Sequence, residues 1–304
     1  MAFGLLTIVW LCWGTSYPAT AVALRGFDVV TCRLGVQMLG AGALLVQAMW
    51  CRRPLGIARR LWPDLVFVAF LYMTIMPLGM NLGVALAGPG RTAILVYTMP
   101  IWASLFARLL LGERLTAGRI AAILLGAGAV VALVSRDLSH LARAPAGAAA
   151  ALVSAMAYGL GTVWLKRRDW QADPSVLAFW QLVIGTVPIL LLWLAIDFPP
   201  HLARADARAW LALAFIGLAG NGVAYFAWFR VVERLPATIS GISALAIPCI
   251  GLVSSAWLLG ERIRPQDIAA MAMIGAALTL VLAEQARMRE RGAAAMPAGR
   301  PRRP

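Results

Sequence analysis

Asn221, Tyr225 and Trp228 recur at i, i+4 and i+7 inside one apolar stretch, which puts an amide, a phenol and an indole on one face of a helix. Trp10, Trp13 and Tyr17 keep compatible spacing near the start of the chain, with Ser16 beside them. Ser154, Tyr158 and Thr162 follow at i, i+4 and i+8 in another stretch, and Thr74, Asn81, Tyr97, Thr98, Ser240 and Ser243 add polar groups to three more. Ring faces with hydroxyls suit a flat or amphiphilic solute, or a cation held over a ring. Two readings compete for each residue. Lining a cavity is one. Packing is the other, since Ser and Thr often bond the preceding backbone turn or a neighbouring helix. Trp62, Trp170 and Trp210 lie near stretch ends and read as an interfacial belt. An embedded amide facing lipid is costly, so Asn221 is expected to face inward.

The charged residues constrain the chemistry further. Arg33 is the one basic residue well inside an apolar stretch. It is read either as snorkelling to nearby headgroups or as a site for a substrate carboxylate. Arg108 lies a turn from a stretch end and reads as snorkelling. Gln37 and Gln181 are placed to bond across helices. All 13 acids, Glu233 included, and both histidines fall in loops, tails or stretch ends. A proton relay needs such a group at depth, so facilitated export or exchange is expected, with Glu233 the nearest candidate for coupling. Ser16 and Ser243 lack a histidine or aspartate partner at depth, and Cys12, Cys32, Cys51 and Cys249 show no metal spacing. No enzymatic site, metal or cofactor is therefore expected.

These residues need elements that can live in lipid. The chain is 62% hydrophobic and 13% charged, with a mean hydropathy of +0.81. A soluble domain runs near half apolar and a quarter charged. Spanning about 30 Å of hydrocarbon takes roughly 20 residues. Ten stretches qualify: 3–23, 28–50, 63–86, 91–111, 117–135, 146–165, 174–197, 207–231, 236–259 and 265–285. They must be helical, because lipid offers exposed backbone groups no partner. Net charge is +14, but the basic residues gather in short loops, so lipid headgroups rather than nucleic acid are the expected counterpart. Arginines cluster at 52–60, around 114–119, at 167–168 and after 287. Loops on the other side carry fewer, which puts both termini in the cytoplasm. The basic, proline-containing segment 286–304 is expected to be disordered.

The chain also repeats itself. Leu109 begins LLLGERLTAGRIAA, and Trp257 begins WLLGERIRPQDIAA. Sliding by 148 lays Pro100 on Pro248 and Gly112-Glu113-Arg114 on Gly260-Glu261-Arg262. Upstream, with a small gap, CWG at 12–14 meets AYG at 157–159. The reading is a duplicated five-helix unit, 1–140 and 146–285. An odd number of spans makes the second unit enter the membrane from the opposite side, and inverted repeats mark secondary transporters. The LLGER phrase reads as a turn fixing a hairpin, with glycine ending the helix. Pro100 and Pro248 read as repeat-related kinks that shape a cavity or act as hinges, and Gly126, Gly128 and Gly275 as close helix contacts.

Two proline-containing spans, each followed by L-L-G-E, and the opening CWGTSYP resemble the EamA-type unit of the drug/metabolite transporter superfamily. The resemblance covers about 1–285. It implies an all-α integral membrane protein of ten transmembrane helices, built as two inverted repeats with cytoplasmic termini, in a bacterial inner membrane. It implies a small-molecule substrate, with export of amino acids or their derivatives first and efflux of toxic organic cations as the alternative. A membrane scaffold or an intramembrane enzyme is the remote reading. A monomer or weak dimer is expected.

Overall fold

The computed structural model describes residues 2–112, 117–134, 145–196, 198, 205–234 and 246–294, and all regular structure among them is helical. The first helix, α1 (Ala2–Ala23), is followed by α2 (Val29–Trp50). A continuous helical run then covers 59–87: a 3-10 turn, α3 (Trp62–Ala69), a π-helical segment (Phe70–Ile75) and α4 (Met76–Ala87). The next run is α5 (Pro89–Val96) and α6 (Met99–Leu111), and α7 (Ala117–Val134) follows. Then come α8 (Pro145–Lys166), α9 (Pro174–Ile196), α10 (Ala207–Ala214), a second π-helical segment (Phe215–Val223) and α11 (Ala224–Arg234). The described chain closes with α12 (Ala246–Leu259) and α13 (Pro265–Ala294).

Seven of these stretches are long and apolar enough to cross a membrane, and Ile120–Ala129 and Ala246–Leu259 are shorter apolar helices. Leu191, Leu124 and Leu211 stand 61–70% exposed, which in water would leave large apolar patches uncovered. Lipid is the solvent that tolerates them. Helix α13 runs on to Ala294, so the expectation of disorder from 286 fails for 286–294. Alanine and arginine make up six of the nine residues of that stretch and are good helix formers, so the helix outlasts its apolar part.

Local chemistry explains the interruptions. Gly112 and Gly260 end α6 and α12 at φ +66° and +70°, a left-handed conformation that glycine adopts without a Cβ penalty. The first π segment precedes Pro77, which has no N–H to bond the preceding turn. The second contains Gly217, Gly220 and Gly222 instead. A shift of 148 lays 67–75 onto that second segment. The expected kink at Pro100 takes another form. A turn at Tyr97–Thr98 divides the span, and Pro100 lies in the first turn of α6, where its missing N–H is harmless. Pro248 is the third residue of α12.

The packing pairs elements across the chain. Helix α1 lies on α12 and α11, while α8 lies on α6 and α4; α2 meets the second π segment and α9 meets the first. Two contacts join equivalent elements, α2 with α9 and α7 with α13, and α5 also lies on α12. Glycine makes the closest crossings. A Cβ on Gly14 would sit 2.5 Å from Ile250 Cγ2, and one on Gly159 2.7 Å from the Ala103 nitrogen and 2.9 Å from Trp102 Cβ. A Cβ on Gly40 would meet Asn221, and one on Gly185 would meet Met73. The shifts that align CWG with AYG and Pro100 with Pro248 carry each of these contacts onto the other. Gly126 also abuts Ile101, and Gly128 lies against Met273. Gly275 meets nothing within 4 Å, so it is not the close contact expected of it; it looks into open space.

Gly159→Val is therefore expected to cost about 1–3 kcal/mol, the usual scale of overpacking, and to lower the melting temperature in detergent, whereas Gly275→Ala leaves it within a degree or two. Thermal unfolding followed by size-exclusion recovery measures both.

Candidate functional site

Ring-bearing side chains meet where α1, α5, α8 and the two π-containing spans converge. Trp13 on α1 donates its indole N–H to the carbonyl of Gly220, at 2.9 Å. Its ring packs edge-on to Tyr225 at 5.5 Å and tilted on Trp228 at 5.7 Å. Tyr17, Tyr97, Trp13 and Trp228 belong to one buried cluster. Opposite, the Tyr72 and Tyr158 rings lie 4.8 Å apart, and the Tyr72 hydroxyl shares a 2.6 Å hydrogen bond with Thr162. Each of the five tyrosines of the chain lies within electrostatic range of another: Tyr97 of Tyr17 and Tyr158, and Tyr225 of Tyr158 and Tyr72.

Tyr72 was not foreseen. The helical periods used on the sequence assume 3.6 residues per turn, and a π turn shifts the facing residue. The signal was present in the repeat. The shift of 148 sets Tyr72 on Gly220, and CWG over AYG sets Trp13 on Tyr158. The Trp13–Gly220 and Tyr158–Tyr72 contacts are therefore matched positions.

The remaining expected residues divide. Several hydroxyls bond backbone, as the packing reading had it. Ser16 donates to Cys12 O at 2.5 Å, Thr98 to Leu95 O at 2.7 Å, and Thr162 to Tyr158 O at 2.8 Å. Thr74 donates to Gly185 O at 2.9 Å and Ser154 to Met76 O at 2.6 Å, tying neighbouring helices together. Asn81 is buried within α4. Asn221 lies in the second π segment, and its Nδ2 is buried without a hydrogen-bond partner. Ser240 and Ser243 lie outside the described residues, as does the Glu233 side chain.

Arg33 does not snorkel. It is 5% exposed, and its Nε donates to Gln37 Oε1 at 2.9 Å. Gln37 in turn donates to Leu182 O on α9 at 3.4 Å, the cross-helix bond expected of it. Arg33 also lies within electrostatic range of Tyr225. Arg108 is exposed, in keeping with snorkelling.

Polar contacts hold both ends of the bundle. At one end, Asp64 in the first turn of α3 accepts from Arg168 at 2.6 Å and from the Trp164 indole at 2.8 Å, and Arg53 pairs with Asp173 at 3.4 Å. At the other end, the Glu261 carboxylate of the second LLGER phrase accepts from the Gly90 amide at 3.1 Å, at the start of α5. Gly88 holds φ +87° there, and a Cβ on it would lie 2.6 Å from that carboxylate. The phrase thus reaches across to the other half, besides ending its own helix. Its first copy, Glu113 and Arg114, lies outside the described residues. Asp64 and Asp267 are buried, but each sits in the first turn of its helix, so among the described residues no acid lies at mid-span.

A family model for the EamA-like transporter family matches residues 1–135 and again 145–283. The chain belongs to that family, and with it to the multi-pass membrane transporters. A "Probable terminal-alkyne amino-acid exporter" of Streptantibioticus cattleyicolor is 29% identical over 278 residues, covering 90% of this chain and 88% of the relative. A "Probable amino-acid metabolite efflux pump" of Salmonella typhimurium is 27% identical, covering 69% and 70%. A solved crystal structure shares the fold with a TM-score of 0.66 at 21% identity, over 93% of this chain and 98% of its own. The family and both of these relatives are named for transport rather than for an enzymatic reaction.

Burial raises the Glu261 carboxyl above its ordinary 4.5, with Asp267 adding to the rise and the Gly90 amide and Arg91 opposing it. A raised value means that the fold favours the protonated form. Its contribution to stability is full below about 4.5 and is lost as pH climbs through the raised value. Glu261→Gln, which keeps an acceptor for Gly90, is expected to match the wild-type melting temperature in acid and exceed it above that window. A pH series of thermal unfolding curves checks this.

Proposed function

We propose that this protein is a secondary transporter that exports small metabolites, amino acids or their derivatives, by alternating access. Ten transmembrane helices form two inverted five-helix halves, 1–140 and 146–285, around a central chamber, with both termini in the cytoplasm of a bacterial cell and the chain in its inner membrane.

The observation that carries this reading is the matched packing. Gly14 meets Ile250 as Gly159 meets Trp102, and Gly40 meets Asn221 as Gly185 meets Met73. Two homologous halves that pack on each other through equivalent contacts can exchange conformations at similar energy. If one arrangement opens the chamber inward, the exchanged arrangement opens it outward. The ring cluster gives such a chamber a lining for an amphiphilic solute. The twofold match to the family model and the relatives named as amino-acid exporters support the substrate class. With no mid-span acid among the described residues, facilitated or exchange transport is preferred over proton antiport. The rings by themselves would also suit an organic cation, but buried Arg33 opposes one.

Single-cysteine variants at positions 114 and 262 are expected to react with impermeant reagents from opposite sides of the membrane; labelling from the same side would sink the inverted arrangement. In proteoliposomes loaded with labelled amino acids, Asn221→Leu and Tyr158→Ala should slow flux roughly tenfold, about 1.4 kcal/mol, while Trp62→Ala stays within roughly twofold. Equal effects would discard the assigned lining.

A further inference from the structure

We infer that Arg33, with Gln37 and Asn221, forms an anion pole in the chamber that takes the carboxylate of a substrate whose body is apolar or aromatic. This deepens the transport reading and rests on it. The geometry begins with one helix face. Arg33, Gln37 and Gly40 follow at i, i+4 and i+7 on α2. Gly40 is where Asn221 presses in, since a Cβ there would lie 2.6 Å from Asn221 Cβ and 3.2 Å from its Nδ2. Tyr225, one turn past Asn221, lies within electrostatic range of Arg33.

The donors on this face outnumber their acceptors. Arginine carries five N–H donors. In Arg33, Nε is occupied by Gln37 Oε1, and the η nitrogens bond nothing among the described residues. No carboxylate among the described residues pairs with it either, although it is 5% exposed. Asn221 Nδ2 is a further buried donor without a partner. Leaving a cation buried without a counter-ion is expensive. A ligand carboxylate removes that penalty, because the guanidinium fork matches its two oxygens. Gln37 is held by Leu182 O and fixes the Arg33 Nε, which leaves the remaining edge of the fork for the ligand.

The other pole is rings: Trp13, Trp228, Tyr225, and Tyr72 with Tyr158. They supply apolar contact for the substrate body. No acid among the described residues stands at mid-span to hold an ammonium. The pole therefore selects for a carboxylate and tolerates an amine beside it, over the ring faces.

Three probes that share a phenyl body separate the charges: 3-phenylpropionate, L-phenylalanine and phenethylamine. Titration calorimetry on the purified full chain in detergent is expected to find both carboxylates binding at least tenfold more tightly than the amine. Arg33→Gln should weaken carboxylate binding about 10- to 100-fold, the scale of a charge-assisted hydrogen bond, with little effect on the amine. Arg33→Lys should restore part of it. Asn221→Leu should weaken the carboxylates several-fold. If Arg33→Gln fails to fold, competition on the wild type carries the test: 3-phenylpropionate should block phenylalanine flux and phenethylamine should not. Binding of the amine as tight as that of the carboxylates, binding by none of the probes, or an unchanged preference in a folded Arg33→Gln protein would overturn the pole. Transport stands apart. Carboxylate-selective binding without flux of any probe would remove the transport reading and leave the pole, whereas flux of the amine alone would remove the pole and leave transport.

Discussion

Helices in lipid gain little from hiding apolar surface, because the tails around them are as apolar as leucine. What holds this bundle together is close approach at points without side chains. Gly14 and Gly159 let α1 and α8 lie against the neighbouring backbone of α12 and α6, and Gly40 and Gly185 do the same for the π-containing spans. Everything polar in the interior depends on those approaches. The Trp13 indole reaches the Gly220 carbonyl, and Thr74 and Ser154 reach carbonyls on neighbouring helices, over distances that only close packing provides.

The two sets of contacts match in position and differ in chemistry. Where one side has Trp13 over Gly220, the other has Tyr158 over Tyr72 with a hydroxyl pair to Thr162. Asn221 occupies the place of Met73. The ends differ as well. Asp64 gathers an arginine and an indole at one, and Glu261 rests on a helix-start amide at the other. A symmetric frame with unlike fittings gives the proposed exchange of conformations a bias. Each polar contact that survives in only one arrangement tilts the balance by its own free energy.

Much of this was legible in the residues. Most of the described helix bounds follow the apolar runs within a few positions, because the length of those runs is fixed by the bilayer, although α13 outruns its apolar part and a turn divides the run 91–111. CWG over AYG laid Gly14 on Gly159, but the contacts these glycines make came only with the structure. Less legible was the site. Ser16 and Thr162 sit on the expected faces, yet their hydroxyls bond the turn before them, a choice of rotamer that spacing does not encode. Tyr72 escaped because the π turn rotates it onto Tyr158. Arg33 was divided between headgroup and substrate until Gln37 and the walls around it closed the route to the surface.

The sequence by itself determined that the chain lives in lipid, that its spans are helical and that it is written twice, because each follows from composition, from the backbone's need for partners and from self-similarity. Only the tertiary structure decided which side chains come together: that Glu261 crosses to Gly90, that the tyrosines lie within range of one another, and that Arg33 is buried with no carboxylate paired to it among the described residues. Such meetings join residues up to some two hundred positions apart, and their geometry is set by where the glycines let the helices cross.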